Sequence, residues 1–433
     1  VSTPDVLPEG WARLHPLSPI VRAGSTAVAL VTIVAANGVV AHRPPLADAV
    51  VVAIVVVVGT VYWLVTRWRV FGGELQIDTG LIRRQQIRVP LRRIQGIDTV
   101  RPLLARMFGM SELRLVLAGH DTGRVRLSYL SEDRAAAVRA QLLALAHGLS
   151  DDTPEPPEHT IATVSNSYIV AGNLLRIEFA VGQVLLAALI VALILYPHGA
   201  FAFVGPLFPV LVGVVLVTVR HILGEWDFHI AEAPDGIRIR SGLLQTRAET
   251  IPYGRVQAVR WLEPLWWRPF GWVRLEIDVA RRRSGNRGER ESATISAALL
   301  PVGSKEQARL LLARVFPGAV AELPPANAVP RRALWRAPLA RRFARMTHDE
   351  RYVACGTGRL RPDVVVVPLE KVQSVRWSQG PWVRRLKLAN IHLDTAGHRF
   401  TGHARYRDAG EAAELIATLP DLARAARDRT AVR

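Results

Sequence analysis

The chain has 433 residues and a mass of 47.7 kDa, too long for one compact module at roughly 100 to 200 residues per domain. It carries 55 Lys+Arg against 37 Asp+Glu, a net charge of +18, yet half of its residues are hydrophobic and its mean hydropathy is +0.18. Charge normally dilutes apolar content, so the two must be segregated along the chain; the single cysteine, Cys355, excludes an intrachain disulfide and a Cys-based metal site.

Residues 1–19, with Pro4, Asp5, Pro8 and Glu9, read as a cytoplasmic segment rather than a cleaved leader. Runs at 23–41, 49–66, 179–196 and 201–219 lack Asp, Glu, Lys and Arg, and each approaches the ~20 helical residues that a bilayer core requires. They pair into two predicted transmembrane hairpins, 20–66 and 173–220, turning at His42-Arg43-Pro44-Pro45 and Pro197-His198-Gly199. Arg13, Arg22, Arg67, Arg69, Arg176 and Arg220 flank the hairpins while the turns hold only Arg43. The expectation is therefore four spans in the cell membrane, with both termini and all large segments cytoplasmic.

The remaining chain repeats itself. Adding 162 maps Thr79-Gly80 onto Ser241-Gly242, Pro90 onto Pro252, Arg93-Ile94-Gln95 onto Arg255-Val256-Gln257, and Arg106, Phe108 and Gly109 onto Arg268, Phe270 and Gly271. Adding 278 finds a third copy in Thr357-Gly358, Pro368, Lys371-Val372-Gln373, Arg384 and Leu386. Copy three has Lys387 where the others have Gly109 and Gly271, which predicts a differently shaped loop. The copies occupy 67–147, 221–318 and 347–422.

Each copy reads as short strands closed by a helix. Leu75 and Ile77 precede a hairpin turn at Asp78-Thr79-Gly80, and Leu113, Leu115 and Leu117 alternate with polar residues. Ser304 with Gln307 and Asp408 with Glu411 form capping boxes ahead of 308–316 and 412–419, and Ser131 precedes the matching 135–145. Copy two carries an extra Arg-rich hairpin loop over 281–290. An acidic, Pro-rich linker is predicted over 148–172, a linker with a basic amphipathic segment over 319–346, and a basic tail over 423–433. In the second linker Trp335, Leu339, Phe343 and Met346 recur at helical spacing among arginines, the composition of a peripheral membrane anchor.

With membrane hairpins preceding units that read Gly80, Pro90-Leu91-Arg92-Arg93-Ile94-Gln95 and Arg106-Met107-Phe108-Gly109, the chain resembles the bacterial pleckstrin-homology-like membrane proteins of the YdbS/YdbT type, whose repeated unit is the bacterial PH domain 2. The resemblance implies an α+β membrane protein of the bacterial cell membrane, with two transmembrane helical hairpins and three PH-like β-barrel domains, each closed by a C-terminal helix. It implies no catalytic residue.

Enzyme motifs are absent from the sequence, and no cofactor, metal or nucleic-acid partner is expected. His392, His398 and His403 read as strand histidines more readily than as a metal site. The candidate contacts for a lipid headgroup or partner protein are the repeated pairs Arg93 and Gln95, Arg255 and Gln257, and Lys371 and Gln373, where the bland alternative is a side-chain bond to neighbouring backbone. Further candidates are Arg106, Arg268 and Arg384, the bulky residues beside them (Trp266, Trp267, Trp272 and Trp382), and Trp335. The predicted role is a non-enzymatic membrane scaffold binding a protein partner or anionic lipid, in envelope maintenance, with homo-oligomers among its expected forms. The alternative is an accessory subunit of a transport or export system.

Overall fold

The computed structural model describes residues 7–8, 10–18, 57, 59–61, 63–80, 84–117, 125–146, 159–195, 201–233, 236–280, 298–319, 329–335, 338, 343–358, 362–397 and 399–431. They fall into two compact units, 1–159 with 238–250 and 160–237 with 251–433.

In the first unit, β1 (Ala12–Arg13), β2 (Arg67–Phe71), β3 (Glu74–Thr79) and β4 (Gln85–Pro90) form one antiparallel sheet in that order. Gly72 and Gly73, at φ +62° and +74°, supply the positive φ angles that a two-residue hairpin turn demands. β5 (Ile94–Pro102) leads through α1 (Leu103–Met107) to β6 (Met110–Leu117) and β7 (Val125–Ser131), and α2 (Glu132–Ala146) closes the repeat. Strand alternation turns Trp68, Leu75, Ile77 and Val89 of one sheet towards Ile97, Leu113, Leu115 and Leu127 of the other, with Val138 and Leu142 of α2 sealing the core. Each such side chain contributes about 1.5–3 kcal/mol by leaving water.

The chain continues through β8 (His159–Val164), α3 (Asn166–Leu174), α4 (Ile177–Leu195), α5 (Phe201–Glu225) and β9 (Phe228–Ala233). β10 (Gly236–Ser241) and β11 (Gln245–Ile251) follow, lying mostly in the first unit. The second unit then holds β12 (Val256–Leu262), β13 (Trp272–Val279), β14 (Ala298–Ser304) and α6 (Lys305–Val315), whose Ser304–Gln307 capping box forms as expected. The third repeat comprises β15 (Arg345–His348), β16 (Tyr352–Thr357), β17 (Asp363–Pro368), β18 (Val372–Ser378), α7 (Pro381–Arg385), β19 (Leu388–Thr395), β20 (Gly402–Asp408) and α8 (Ala409–Ala431). α8 passes through Pro420 and takes in most of the stretch expected as a tail; Arg427 Nη1 donates to the Val372 carbonyl at 2.9 Å.

Sheets run across the repeat boundaries. β5 pairs with β11 from Thr99↔Ala248 to Pro102↔Gln245, and β12 pairs with β17 from Val259↔Val366 to Leu262↔Asp363. The register is common to both: advancing Thr99↔Ala248 by one repeat on each side gives Trp261↔Val364. The second junction also carries an ion pair, Arg260 Nη2 to Asp363 Oδ2 at 2.6 Å, and Glu263 N donates to the Pro362 carbonyl at 3.0 Å.

The membrane architecture requires correction. Among the described residues no single helix is long and apolar enough to cross a membrane, so neither the two transmembrane hairpins nor a four-span location is supported. The fold described is dominated by four β-sheets. The first hairpin lies almost wholly outside the described residues. In the second, α3 and α4 together have the composition of a span, but the chain bends by 54° between them. An apolar run fixes composition, whereas crossing requires a continuous helix of sufficient length. α4 and α5 pack closely instead: a Cβ on Gly182 would lie 2.7 Å from Val214 Cγ1. The basic segment departs too, since a 3-10 turn spans Arg331–Trp335 while Met346 sits on β15, buried in the core of the third repeat. Of the acidic linker, 148–158 fall outside the described residues, while 159–172, expected as extended chain, form β8 and most of α3; the loop over 281–290 also falls outside.

Candidate binding surface

After β5, β12 and β18 the chain makes one short helical turn in every repeat: α1, the 3-10 turn Leu265–Phe270, and α7. In each, the carbonyl of the repeated arginine accepts from the N–H three residues on: Arg106 from Gly109 at 3.1 Å, Arg268 from Gly271 at 3.0 Å and Arg384 from Lys387 at 2.9 Å. The turns end in a left-handed residue, φ +61° at Gly109, +64° at Gly271 and +51° at Lys387. The different loop expected from Lys387 is thus corrected: the hydrogen-bonded backbone imposes the same turn on a residue with a Cβ.

These turns present large apolar side chains to solvent: Leu103, Met107 and Phe108 in the first, Leu265, Trp266 and Phe270 in the second, and Trp382, 70% exposed, in the third. Adjacent tryptophans have opposite roles. Trp267 is buried and its Nε1 donates to the Gly172 carbonyl at 3.0 Å, which ties the turn to α3. Trp272 is half-buried, stacked on Phe270 at 4.9 Å and edge-on to Tyr168 at 5.4 Å. Trp335 is 88% exposed, and its own turn docks against the third-repeat loop through Ala333, Val383 and Leu388, so the elements bearing Trp335 and Trp382 are neighbours.

The arginines divide similarly. Arg106 Nη1 donates to the Leu243 carbonyl at 3.2 Å, bracing β10–β11 against the first repeat. Arg268 lies 5.7 Å from the Phe343 ring, a cation–π distance, and Arg384 is exposed. The basic residue of each Arg/Gln pair ends a 3-10 turn that follows Pro90, Pro252 or Pro368, with Ile94, Val256 and Val372 buried beyond it. Their environments then diverge. Gln257 is buried and donates to the Arg255 carbonyl at 3.3 Å, whereas Gln373 is exposed. Arg93 is exposed, Arg255 Nη2 reaches the Ala280 carbonyl at 3.4 Å and Lys371 pairs with Glu370 at 3.1 Å; the Gln95 side chain is outside the described residues. Among the described residues, the pairs thus sit in different environments from repeat to repeat.

The model of the bacterial PH domain matches the sequence three times, over residues 26–146, 176–315 and 296–423. The chain belongs to the bacterial PH domain family. Neither curated proteins nor solved structures gave a match.

One feature of this bacterial PH domain protein escaped the sequence. Glu225, the last residue of α5, is fully buried and pairs with Arg274 on β13 at 2.7 Å; Arg274 also reaches Glu276 at 2.9 Å, and Asn173 Nδ2 of α3 donates to Glu225 Oε2 at 3.4 Å. Burial pushes the Glu225 carboxyl up, but the Arg274 charge and hydrogen bond outweigh it and hold the group below the ordinary carboxylate range. No signal marks such a pair, since its members lie far apart in the chain. Two of the histidines read as strand residues come together: His392 stacks on His403, ring centroids 4.1 Å apart, as cross-strand partners on β19 and β20. Burial, then the neighbouring His392 and Arg405, depress His403 to about 4. Among the described residues no His, Cys, Asp or Glu group forms a metal cluster.

Proposed function

We propose that this bacterial PH domain chain is a non-enzymatic binding adaptor that uses the loops after β5, β12 and β18 to hold a protein partner or an anionic lipid surface. PH-like domains bind proteins or lipids, and family membership points to a binding or adaptor role. One observation carries the finer reading: in all three repeats the same turn exposes a large apolar side chain beside an arginine, Met107 with Arg106, Trp266 with Arg268 and Trp382 with Arg384. Exposed Trp and Met beside Arg supply the apolar anchor and charged rim from which affinity is built. Basic residues add about 1 kcal/mol each near an anionic surface. The transport alternative rested on four spans forming a conduit and is not carried forward.

The test is co-sedimentation of the full chain with phosphatidylglycerol/phosphatidylcholine vesicles, and in parallel photo-crosslinking from position 382 in cells. Trp266→Ala with Trp382→Ala should reduce whichever binding is observed. Retention of full vesicle binding and of every crosslinked partner by the double variant rejects these loops as the binding surface.

A further inference from the structure

Among the described residues, two strand edges lack the neighbour that their counterparts have. β5 and β12 are each covered by the third strand of the next repeat, β11 and β17. β18, their equivalent in the last repeat, is the outer strand of its sheet, and β4, the equivalent of β11 and β17 in the first repeat, is also an outer strand. Burial follows the difference. On β12 every residue except Arg260 is buried, while on β18 Gln373, Ser374, Arg376, Trp377 and Ser378 are exposed. Trp261 is 5% exposed and its counterpart Trp377 is 46% exposed. A strand that, among the described residues, is paired by a neighbouring strand on one side only and carries a half-exposed tryptophan is a template for another strand.

We infer that β18 of one chain pairs antiparallel with β4 of a second copy, extending head to tail the junction that the chain already makes twice within itself. The occupant is argued from continuity: both internal junctions use one register, and carrying it forward by one repeat places Val375 opposite Arg88, Arg376 opposite Ile87, Trp377 opposite Gln86 and Ser378 opposite Gln85. No charge pair opposes this register. Arg376 faces no cation across it and already lies 2.8 Å from Asp394 through Nη2, and Arg88 falls one diagonal step from Trp377, within reach of its ring face. β4 offers Gln85, Gln86 and Arg88 where β17 has Asp363, Val364 and Val366, so the junction between copies is held chiefly by backbone hydrogen bonds and is weaker than the internal ones. Because the two surfaces differ, the contact is heterologous. It propagates into a fibre, or closes as a ring if the rotation per copy permits.

Cysteine crosslinking of the full chain tests the register. Directly opposed Cα atoms in an antiparallel pair are about 4.5–5.5 Å apart, inside the disulfide range, whereas a diagonal neighbour at roughly 7–8 Å is outside it. Cys355 is buried and serves as silent background. Mixing Trp377→Cys chains with Gln86→Cys chains should give a mixed disulfide at twice the 47.7 kDa mass, while Trp377→Cys mixed with Arg88→Cys should not. Sedimentation of the unmodified chain should show species above 47.7 kDa that Trp377→Lys abolishes at unchanged melting temperature. Faster crosslinking of Trp377→Cys to itself would overturn the inference in favour of a symmetric β18 pair. Equal crosslinking to positions 86 and 88, or a single 47.7 kDa species at every concentration with no crosslink, would also overturn it.

Discussion

Glu225 at the end of α5 meets Arg274 on β13 at 2.7 Å, the carboxylate fully buried and the guanidinium side chain 6% exposed. A carboxylate at a helix C-terminus opposes the helix dipole, so this placement persists because the guanidinium answers both the charge and the dipole. Removing the guanidinium leaves Glu225 charged and buried, which costs about 3–5 kcal/mol. Arg274→Met should lower the unfolding free energy from urea titration by an amount in that range, and Glu225→Gln by less, because Arg274 keeps Glu276 at 2.9 Å. Because the folded carboxyl titrates below its ordinary value, the pair's contribution is complete at neutral pH and lost as pH falls through the folded pKa. The wild-type chain should therefore lose more stability on acidification than Glu225→Gln, as read from urea midpoints at pH 7 and pH 4.

Lys387 occupies a left-handed conformation, φ +51°, that Gly109 and Gly271 adopt without strain in the other repeats. A side chain there costs about 1–2 kcal/mol, offset in part by the smaller freedom of Lys in the unfolded chain. Lys387→Gly should raise the melting temperature, whereas Gly271→Lys should lower it.

His403, depressed to about 4 by burial and by His392 and Arg405, takes up a proton in the unfolded chain before it does in the fold. Stability is therefore unaffected above the ordinary histidine range and declines as pH falls from about 6.5 towards 4. Denaturant midpoints measured between pH 7 and pH 4.5 should fall less steeply in His403→Gln than in the wild type. Equal slopes would show that the stacked pair does not report on folding.

Trp267 donates to the Gly172 carbonyl, and a Cβ on Gly172 would meet Val302 Cγ2 at 2.5 Å. Trp267→Phe removes that hydrogen bond and part of the packing, a loss of roughly 1 kcal/mol for the bond plus the cavity left behind. Gly172→Ala should destabilise through overlap, whereas Trp266→Ala, one residue away but exposed, should leave the melting temperature unchanged. Thermal melts of the three variants separate the anchor from its neighbour.

The sequence displayed the repeated units because the positions that recur are local in effect. Pro90, Pro252 and Pro368 each precede a 3-10 turn, Ile94, Val256 and Val372 begin each second sheet, and Ser304 with Gln307 caps its helix. Nothing in those signals names the strand beside β5 or β12. Val364 to Val367 form an apolar stretch of β17, but an apolar run does not identify its neighbour. Trp266 and Trp267 were equally eligible as binding residues; the geometry of one 3-10 turn sends the first outward and the second into α3. The apolar runs at 179–196 and 201–219 match a bilayer in composition, yet among the described residues no single helix is long and apolar enough to cross a membrane.

Because each internal seam repeats the same pairing scheme, whole units are interchangeable at the level of the backbone. Deleting the stretch between equivalent points of two neighbours would leave β5 facing β17 in the alignment that it now shares with β11. Duplication or loss of a complete unit is then nearly silent for the ladder, while a partial deletion strands donors and acceptors in a dry interior. The architecture favours evolution by counting: lineages can lengthen or shorten the array in steps of one, and only the two terminal units need adapt to having a single neighbour.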